Sequence, residues 1–142
     1  MGTRRKSRER ALQALYQWDV TGQDAKKGVP RLQEHLFSGP ERDEFAEQVV
    51  AGVLFRHEEI DRLIEQYSEN WRLDRMSVID RNLLRIATYE LLYCHEIPTK
   101  VILNEAIDLG KKYGSEDSGS FINGILDRIQ KETGRKTLIA EA

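Results

Sequence analysis

Basic side chains are concentrated in the first ten residues of the chain, where five of them stand against one acid and give a local net charge of +4. The five are Arg4, Arg5, Lys6, Arg8 and Arg10, and the acid is Glu9. Residues three or four positions apart share a face of a helix, so Arg4, Arg5 and Arg8 are expected to lie together. Guanidinium groups in such a cluster can bind phosphates or stack on bases. The pattern therefore favours nucleic-acid binding, although a short solvated basic tail would have the same composition.

Two tyrosines, Tyr16 and Tyr67, could supply the aromatic rings that a nucleic-acid site uses for base stacking. Aromatic rings stack on single-stranded bases whatever their identity, because every base has a π-face. The alternative for each ring is a place in the core, with only its hydroxyl group in water. The sequence leaves both alternatives open.

Acidic side chains dominate residues 41–66, where eight acids stand against three arginines and give a local net charge of −5. The whole chain has a net charge of −2 and a pI of about 6.0. It is not a general polycation, so any nucleic-acid binding must come from a local patch. A basic arm and an acidic segment on a nearly neutral chain suggest two different partners. The alternative is that both are solvated surface.

Motifs for catalysis are missing from the 142 residues, which contain no phosphate-binding loop, no dinucleotide-binding glycine motif and no G-x-S-x-G motif. The adjacent side chains of Cys94 and His95 would diverge by about 100° on a helix and would not converge on one metal ion. Nothing in the sequence supports an enzyme, a cofactor or a metal site. Cys94 is expected to be an ordinary buried thiol.

Composition indicates a soluble cytoplasmic protein. A single cysteine cannot form a disulfide within the chain and is typical of a reducing compartment. No apolar run approaches the roughly 18 residues of a membrane span, and the N-terminus lacks the apolar segment of a secretory signal. We expect one domain over residues 1–142, with a basic arm at 1–10 and a frayed tail at 135–142.

Apolar residues recur with the helical period, and no stretch alternates with the period of a strand. One such series is Ala11, Ala14, Leu15 and Trp18, and a second is Ile60, Leu63, Ile64, Tyr67 and Trp71. Because residues 53–97 contain neither Gly nor Pro, helix breaks are expected near His57 and across residues 70–76. The pattern predicts an all-α fold of about seven helices.

Capping residues set the predicted helix boundaries. Pro40 is placed to begin a helix with Glu41, Asp43 and Glu44 in its first turn. Ser77, followed by Asp80, is placed to cap a helix over Val78–Tyr93. The remaining boundary residues are Thr99 as a cap for a helix through Lys112, Gly114 as its left-handed stop, Ser118 as the start of the last helix and Gly134 as its end.

Three segments carry a specific combination of motifs. They are R-E-R-A-L-Q-A-L-Y-Q-W-D at 8–19, I-D-R-N-L-L-R-I-A-T-Y-E-L at 79–91, and the N-E-A, G-x-E-D-S and F-x-N-G motifs within 104–124. Together they resemble the NusB family of bacterial transcription antitermination factors over about residues 4–130, whereas residues 22–56 match in character only. The resemblance implies an all-α fold of two packed helical bundles and a non-enzymatic role. It also implies pairing with the ribosomal protein NusE, binding of boxA RNA in nascent ribosomal RNA, and read-through by RNA polymerase.

The resemblance also implies roles for individual residues. Its basic arm corresponds to Arg4, Arg5, Lys6 and Arg8, which would meet the RNA backbone. Positions associated with RNA contact are Tyr67, Asp80, Phe121 and Asn123, and Asp117 lies at a position linked to NusE binding. Arg10 and Ser120 depart from the family pattern, so the role of each is open. Phe121 has an alternative as a core anchor, Asn123 as a surface amide, and Asp117 as a favourable charge at a helix N-terminus.

The charge pattern fits these two partners, and we hypothesise that the acidic segment, with Glu41, Asp43 and Glu44 at one end, binds NusE. Two other classes remain. One is a relative of the RNA methyltransferases with a NusB-like N-terminal domain, but these residues contain no cofactor loop. The other is a helical interaction module without RNA, for example a homodimer, because apolar helix faces serve core and interface alike.

Overall fold

The computed structural model describes residues 2–22, 42–69 and 71–133, and over these ranges it contains helices and no strand. The helices are α1 (Gly2–Thr21), α2 (Glu44–Phe55), α3 (His57–Gln66), a 3-10 turn (Leu73–Arg75), α4 (Val78–Tyr93), α5 (Thr99–Tyr113) and α6 (Ser118–Glu132). The all-α prediction is confirmed. The count of about seven is slightly high for the described ranges, which hold six α-helices.

Helix α4 lies at the centre of the fold and packs against each of the other five α-helices. Its side chains from Asn82 to Leu91 are all buried, on every face of the helix, as expected for a helix surrounded by others. The buried apolar residues form a single cluster. The expected division into two packed bundles is therefore inexact, because both groups of helices share α4.

The two predicted apolar series have different outcomes. In α1, all four residues of the first series are buried, with Trp18 the most exposed at 8%. In the second series Ile60 and Ile64 are buried, but α3 ends at Gln66 and Trp71 lies beyond it with 53% of its surface exposed. The helical period stops because the helix ends at Gln66 and the chain then turns over residues 67–69, where Glu69 has a φ of 57°.

The predicted start of α4 is confirmed. The Ser77 hydroxyl accepts a hydrogen bond from the backbone N–H of Asp80 at 3.1 Å, and the helix spans Val78–Tyr93. The predicted break near His57 is also present. The break predicted across residues 70–76 is present but wider, since α3 ends at Gln66 and α4 begins at Val78.

Two other boundaries are corrected. Helix α2 begins at Glu44 rather than at Pro40, because Asp43 caps it by accepting a hydrogen bond from Ala46 N at 3.0 Å. Pro98, not Thr99, is the N-cap of α5. Pro40, Glu41, Gly134 and the tail lie outside the described residues.

Gly114 ends α5 without adopting the predicted left-handed conformation, since its φ is −97°. It is needed instead for a close approach, because a Cβ atom there would lie 2.3 Å from Ser118 Oγ. Gly52 has a similar role within α2, where a Cβ atom would lie 2.1 Å from Cε1 of the Tyr89 ring. None of the described helices is both long and apolar enough to cross a bilayer.

Candidate nucleic-acid interface

The basic arm is the first part of α1 rather than a separate tail, and the helix divides its cations between two sides. Arg8 is buried and Arg5 is half-buried, whereas Arg4 and Lys6 are exposed. Arg4 and Arg8 both lie over the ring of Phe45, at 4.7 and 5.4 Å from its centre. The arm is thus folded against the protein, with part of its charge directed inward.

Arg8 forms a buried, two-pronged ion pair with Glu90 of α4. Its Nε and Nη2 atoms donate to the two carboxylate oxygens at 2.9 and 2.6 Å. The two side chains are 3% and 1% exposed. Burial raises the pKa of the Glu90 carboxyl group above its ordinary value, and the Arg8 guanidinium opposes that rise. The pair anchors α1 to α4. Contact between Arg8 and RNA stays a prediction, and its burial counts against it.

Arg5 holds α1 against α5. Its Nε donates to Glu105 at 2.8 Å, and its Nη2 donates to Asp108 at 3.0 Å. The hydrogen bond from Arg5 lowers the pKa of the Glu105 carboxyl group, so this acid stays ionised beside the two arginines. Arg8 Nη1 also donates to Glu105, at 3.3 Å. The charge of Arg5 is therefore largely matched inside the protein.

The outer side of α1 borders a groove of about 750 Å³, which we call the α1 groove. Its lining residues are Lys6, Glu9, Arg10, Leu12, Gln13, Tyr16, Gln17, Ile79 and Tyr113. The rings of Tyr16 and Tyr113 are 41% and 43% exposed. The groove joins an apolar floor to cations, amides and exposed aromatic rings, and this combination suits a single-stranded nucleic acid.

One acid and two basic residues line the α1 groove, and some of them form ion pairs. Glu9 accepts hydrogen bonds from Lys112 at 2.7 Å and from the Tyr113 hydroxyl at 2.8 Å. These bonds lower the pKa of the Glu9 carboxyl group. Arg10 is half-exposed and donates to Asp43 at 3.1 Å. Lys6 is exposed, and no ion pair to it is found among the described residues.

The other predicted RNA residues lie on α4, on α6 and at the end of α3. Phe121 is half-buried and packs edge-on against Trp71, with ring centres 6.1 Å apart. Asn123 is exposed on α6. Tyr67 is half-buried, and its backbone carbonyl accepts a hydrogen bond from Arg128 at 3.2 Å. The structure thus brings Phe121 and the segment after Tyr67 together.

Asp80 is 8% exposed, and its Oδ1 atom is buried without a hydrogen-bond partner in the described part of the chain. It is adjacent in sequence to Ile79, which lines the α1 groove. Contact between Asp80 and RNA stays a prediction, since its carboxylate is covered in this conformation.

The candidate protein-binding acids differ in availability. The Asp43 carboxylate is already engaged within the fold, because it caps α2 and accepts hydrogen bonds from Ser7 at 2.8 Å and from Arg10. Glu44 is exposed, and so is Asp117, the N-cap residue of α6, whose side chain makes no capping hydrogen bond. Glu41 lies outside the described residues.

Many acids of the segment 41–66 are used inside the fold. Glu47 accepts from Arg42, Asp61 from Arg85, and Glu65 from a backbone N–H. The local charge of −5 therefore overstates the free acidic surface.

Sequence reasoning missed Gln13, Gln17 and Tyr113 in the α1 groove, and Trp71 as a surface ring. The two glutamines were detectable, because Lys6, Arg10, Gln13 and Gln17 follow one helix face at spacings of four and three. The places of Tyr113 and Trp71 depend on how separate helices pack, and no local spacing reveals them.

Comparison with known proteins defines the family to which this chain belongs. The model of the NusB family matches residues 5–131 of this chain. The fold is also similar to that of NusB from T. maritima, with a TM-score of 0.81 and 41% sequence identity over 94% of this chain and 96% of that one. The chain belongs to the NusB family.

Relatives with the name transcription antitermination protein NusB are similar along nearly their whole length. That of Myxococcus xanthus is 49% identical over 91% of this chain and 95% of its own. That of Desulfatibacillum aliphaticivorans is 45% identical over 96% and 95%. A chain in the crystal structure of antitermination factors NusB and NusE in complex with dsRNA matches with a TM-score of 0.77 and 30% identity, over 93% of this chain and 98% of that one.

Proposed function

We propose that this protein is a non-enzymatic transcription antitermination factor that binds boxA RNA of nascent ribosomal transcripts together with NusE. The observation that carries the proposal is the α1 groove, where exposed cations and the Tyr16 ring on one face of α1 lie beside the exposed ring of Tyr113 from α5. Membership of the NusB family supports it, as does the likeness to the structure of NusB and NusE with RNA.

In this proposal the exposed members of the predicted set contact RNA. Arg4 and Lys6 bind backbone phosphates, because their charges face solvent. Tyr16 supplies a stacking surface in the α1 groove. Arg5 and Arg8 act mainly by fixing α1 on α4 and α5, which holds the groove in place before RNA arrives.

Beyond the α1 groove, the proposed RNA path continues over Phe121 and Asn123 on α6, with Tyr67 beside them. These residues offer a ring edge, an amide and a hydroxyl group, which are the groups that single-stranded RNA recognition uses. NusE, a basic ribosomal protein, would meet the exposed acids, of which Asp117 and Glu44 are the free candidates.

Assembly with RNA polymerase in a cytoplasmic antitermination complex is part of the same proposal, and so is the activity of residues 1–142 as one domain. A homodimer is an alternative state of the free protein. Sedimentation with and without RNA tests the dimer, which is expected to dissociate when RNA binds if its interface covers the α1 groove.

Fluorescence anisotropy of a labelled boxA RNA, with and without NusE, tests the proposal. A scrambled RNA of equal length is the control ligand. We expect tighter binding to boxA than to the scrambled RNA, a further gain with NusE, and a loss in the Tyr16→Ala variant. Lys131→Ala is the matched surface control, because this exposed lysine pairs with Asp127 within α6. Equal binding of both RNAs would contradict the proposal.

The protein interface has its own test. Glu44→Lys and Asp117→Lys reverse exposed charges, and we expect each to weaken NusE binding without altering the melting temperature. Asp43→Lys is unsuitable, since it would also remove the cap of α2. NusE affinity that is unchanged in both variants would assign the NusE surface elsewhere.

A further inference from the structure

Trp71 lies between α3 and the 3-10 turn, and its side chain is unusually exposed for a tryptophan. It is 53% exposed, and it packs edge-on against Phe121 with ring planes inclined by 73°. An edge-on contact covers only part of the indole and leaves ring surface for another partner. The ring borders a pocket of about 500 Å³ lined also by Arg62, Glu65, Gln66 and Arg72.

The pocket has cations that are available to a ligand. Arg62 is exposed, and no ion pair to it is found within residues 2–22, 42–69 and 71–133. Arg72 pairs with Asp74 at 3.3 Å, and both side chains are about 70% exposed. Exposed pairs of this kind are weak and exchange readily with another anion.

The single acid in the pocket is already engaged. Glu65 accepts a hydrogen bond from the backbone N–H of Leu73 at 2.8 Å, and this bond closes the segment between α3 and the 3-10 turn. Two exposed guanidinium groups and an amide therefore line the pocket with the ring, and this chemistry favours an anionic, aromatic ligand.

The backbone that carries Trp71 is held in place. The buried Ser68 hydroxyl lies 2.9 Å from the Trp71 carbonyl oxygen and 3.1 Å from that of Glu65. The Trp71 N–H donates to the Ser68 carbonyl at 3.3 Å. A ring on a fixed backbone loses little conformational freedom when a base stacks on it.

We propose that Trp71 is a stacking platform for one base of single-stranded RNA, and that Arg62 and Arg72 bind the flanking phosphates. The inference rests on the proposed function. It extends the RNA path from Phe121, through the ring contact between the two residues, to a surface that neither the basic arm nor the family motifs indicated. Charge favours RNA over a protein segment here, since an apolar peptide would leave the two arginines unmatched.

Trp71→Leu is the principal test, because leucine keeps an apolar contact with Phe121 and removes the stacking face. Loss of one stacked base is expected to weaken binding of boxA RNA with flanking nucleotides roughly 5- to 150-fold. Trp71→Phe, which keeps a ring, should lose less. Phe55→Ala is the matched control, since Phe55 is 66% exposed at the end of α2 and outside this pocket.

Abasic substitutions in the RNA can identify the base that stacks on Trp71. Removing one base at a time from the labelled RNA should reveal a position where the abasic site weakens binding of the unmodified protein but not of Trp71→Leu. Arg62→Ala and Arg72→Ala should each lower the slope of log Kd against log salt by about 0.7.

Intrinsic fluorescence gives a readout that a purely structural role would not change. Trp18 is buried, so acrylamide quenching of the folded protein reports mainly on Trp71. Bound RNA is expected to shield Trp71 from acrylamide in the unmodified protein.

The outcomes separate the two proposals. If the unmodified protein binds boxA RNA, but Trp71→Leu binds equally well and Trp71 stays open to acrylamide, the stacking platform is refuted and the proposed function stands. If Trp71→Leu loses affinity for NusE and not for RNA, the pocket belongs to a protein partner and the inference is wrong. Absence of specific RNA binding by the unmodified protein refutes both.

Discussion

Removing the Arg8 guanidinium is the sharpest test of how α1 is held. The Arg8→Met variant keeps an apolar stem of similar length and leaves the Glu90 carboxylate buried at 1% exposure without its two hydrogen bonds. Breaking one side of a buried pair costs about 3–5 kcal/mol. For a chain of this size that corresponds to a fall in melting temperature of roughly 10–20 °C.

The double variant Arg8→Met, Glu90→Leu is the matched control. It removes both charges of the pair, and replacement of a whole buried pair by apolar side chains is often neutral. We expect most of the lost stability to return, as measured by thermal unfolding and circular dichroism. A single variant that melts within about 2 °C of the unmodified protein would refute the anchoring role.

The pH dependence gives a second readout of the same pair. The folded-state pKa of Glu90 is raised, so between the ordinary carboxyl pKa and this higher value the folded chain binds more protons than the unfolded chain. This contribution to stability therefore falls as pH rises through that window. Without Arg8 the pKa should rise further, and the deficit of Arg8→Met relative to the unmodified protein should be smaller at pH 5 than at pH 8. A deficit that does not change with pH would contradict the coupling between the Arg8 charge and the ionisation of Glu90.

The double variant also decides between two roles for Arg8. If Arg8 only positions α1, the folded double variant should bind boxA RNA with an unchanged salt dependence. A slope reduced by about 0.7 would show instead that Arg8 contacts a phosphate.

Three further predictions use matched positions. Changing Arg4 and Lys6 together to Ala should reduce the slope of log Kd for RNA against log salt by about 1.4, whereas an unchanged slope would place the phosphate contacts elsewhere. Gly52→Ala should lower the free energy of unfolding by about 1–3 kcal/mol, because its methyl group would overpack against a tyrosine ring. Gly124→Ala should raise it by about 0.5–1 kcal/mol, because its methyl group would meet no atom within 4 Å. Equal free energies of unfolding for the two variants would contradict this. Ser77→Ala should cost about 1 kcal/mol by removing the cap of α4, and Ser77→Asp should restore it, as measured by urea unfolding.

The helices were predictable where local rules apply. The buried face of α1 follows from an apolar period within the eight residues Ala11–Trp18. The start of α4 follows from Ser77, which caps the helix by accepting from the N–H of the third residue after it. The start of α2 was misplaced because a proline signal at residue 40 was preferred to Asp43, which makes the actual cap. The stop at Gly114 was misjudged because its close approach to Ser118 comes from the next helix.

The sequence by itself determined the all-α class, the motifs of the NusB family, the buried stripe of α1 and the presence of a basic N-terminal segment. Only the tertiary structure decided which cations of that segment face outward. The partners of Arg5 and Arg8 are 100 and 82 positions away in the chain, whereas helical spacing rules connect residues only three or four apart. Packing of α1 on α4 and α5 therefore matches these two arginines internally and leaves Arg4 and Lys6 at the surface. Packing of α3 against α6 likewise sets the Trp71 ring beside Phe121, 50 residues further along the chain.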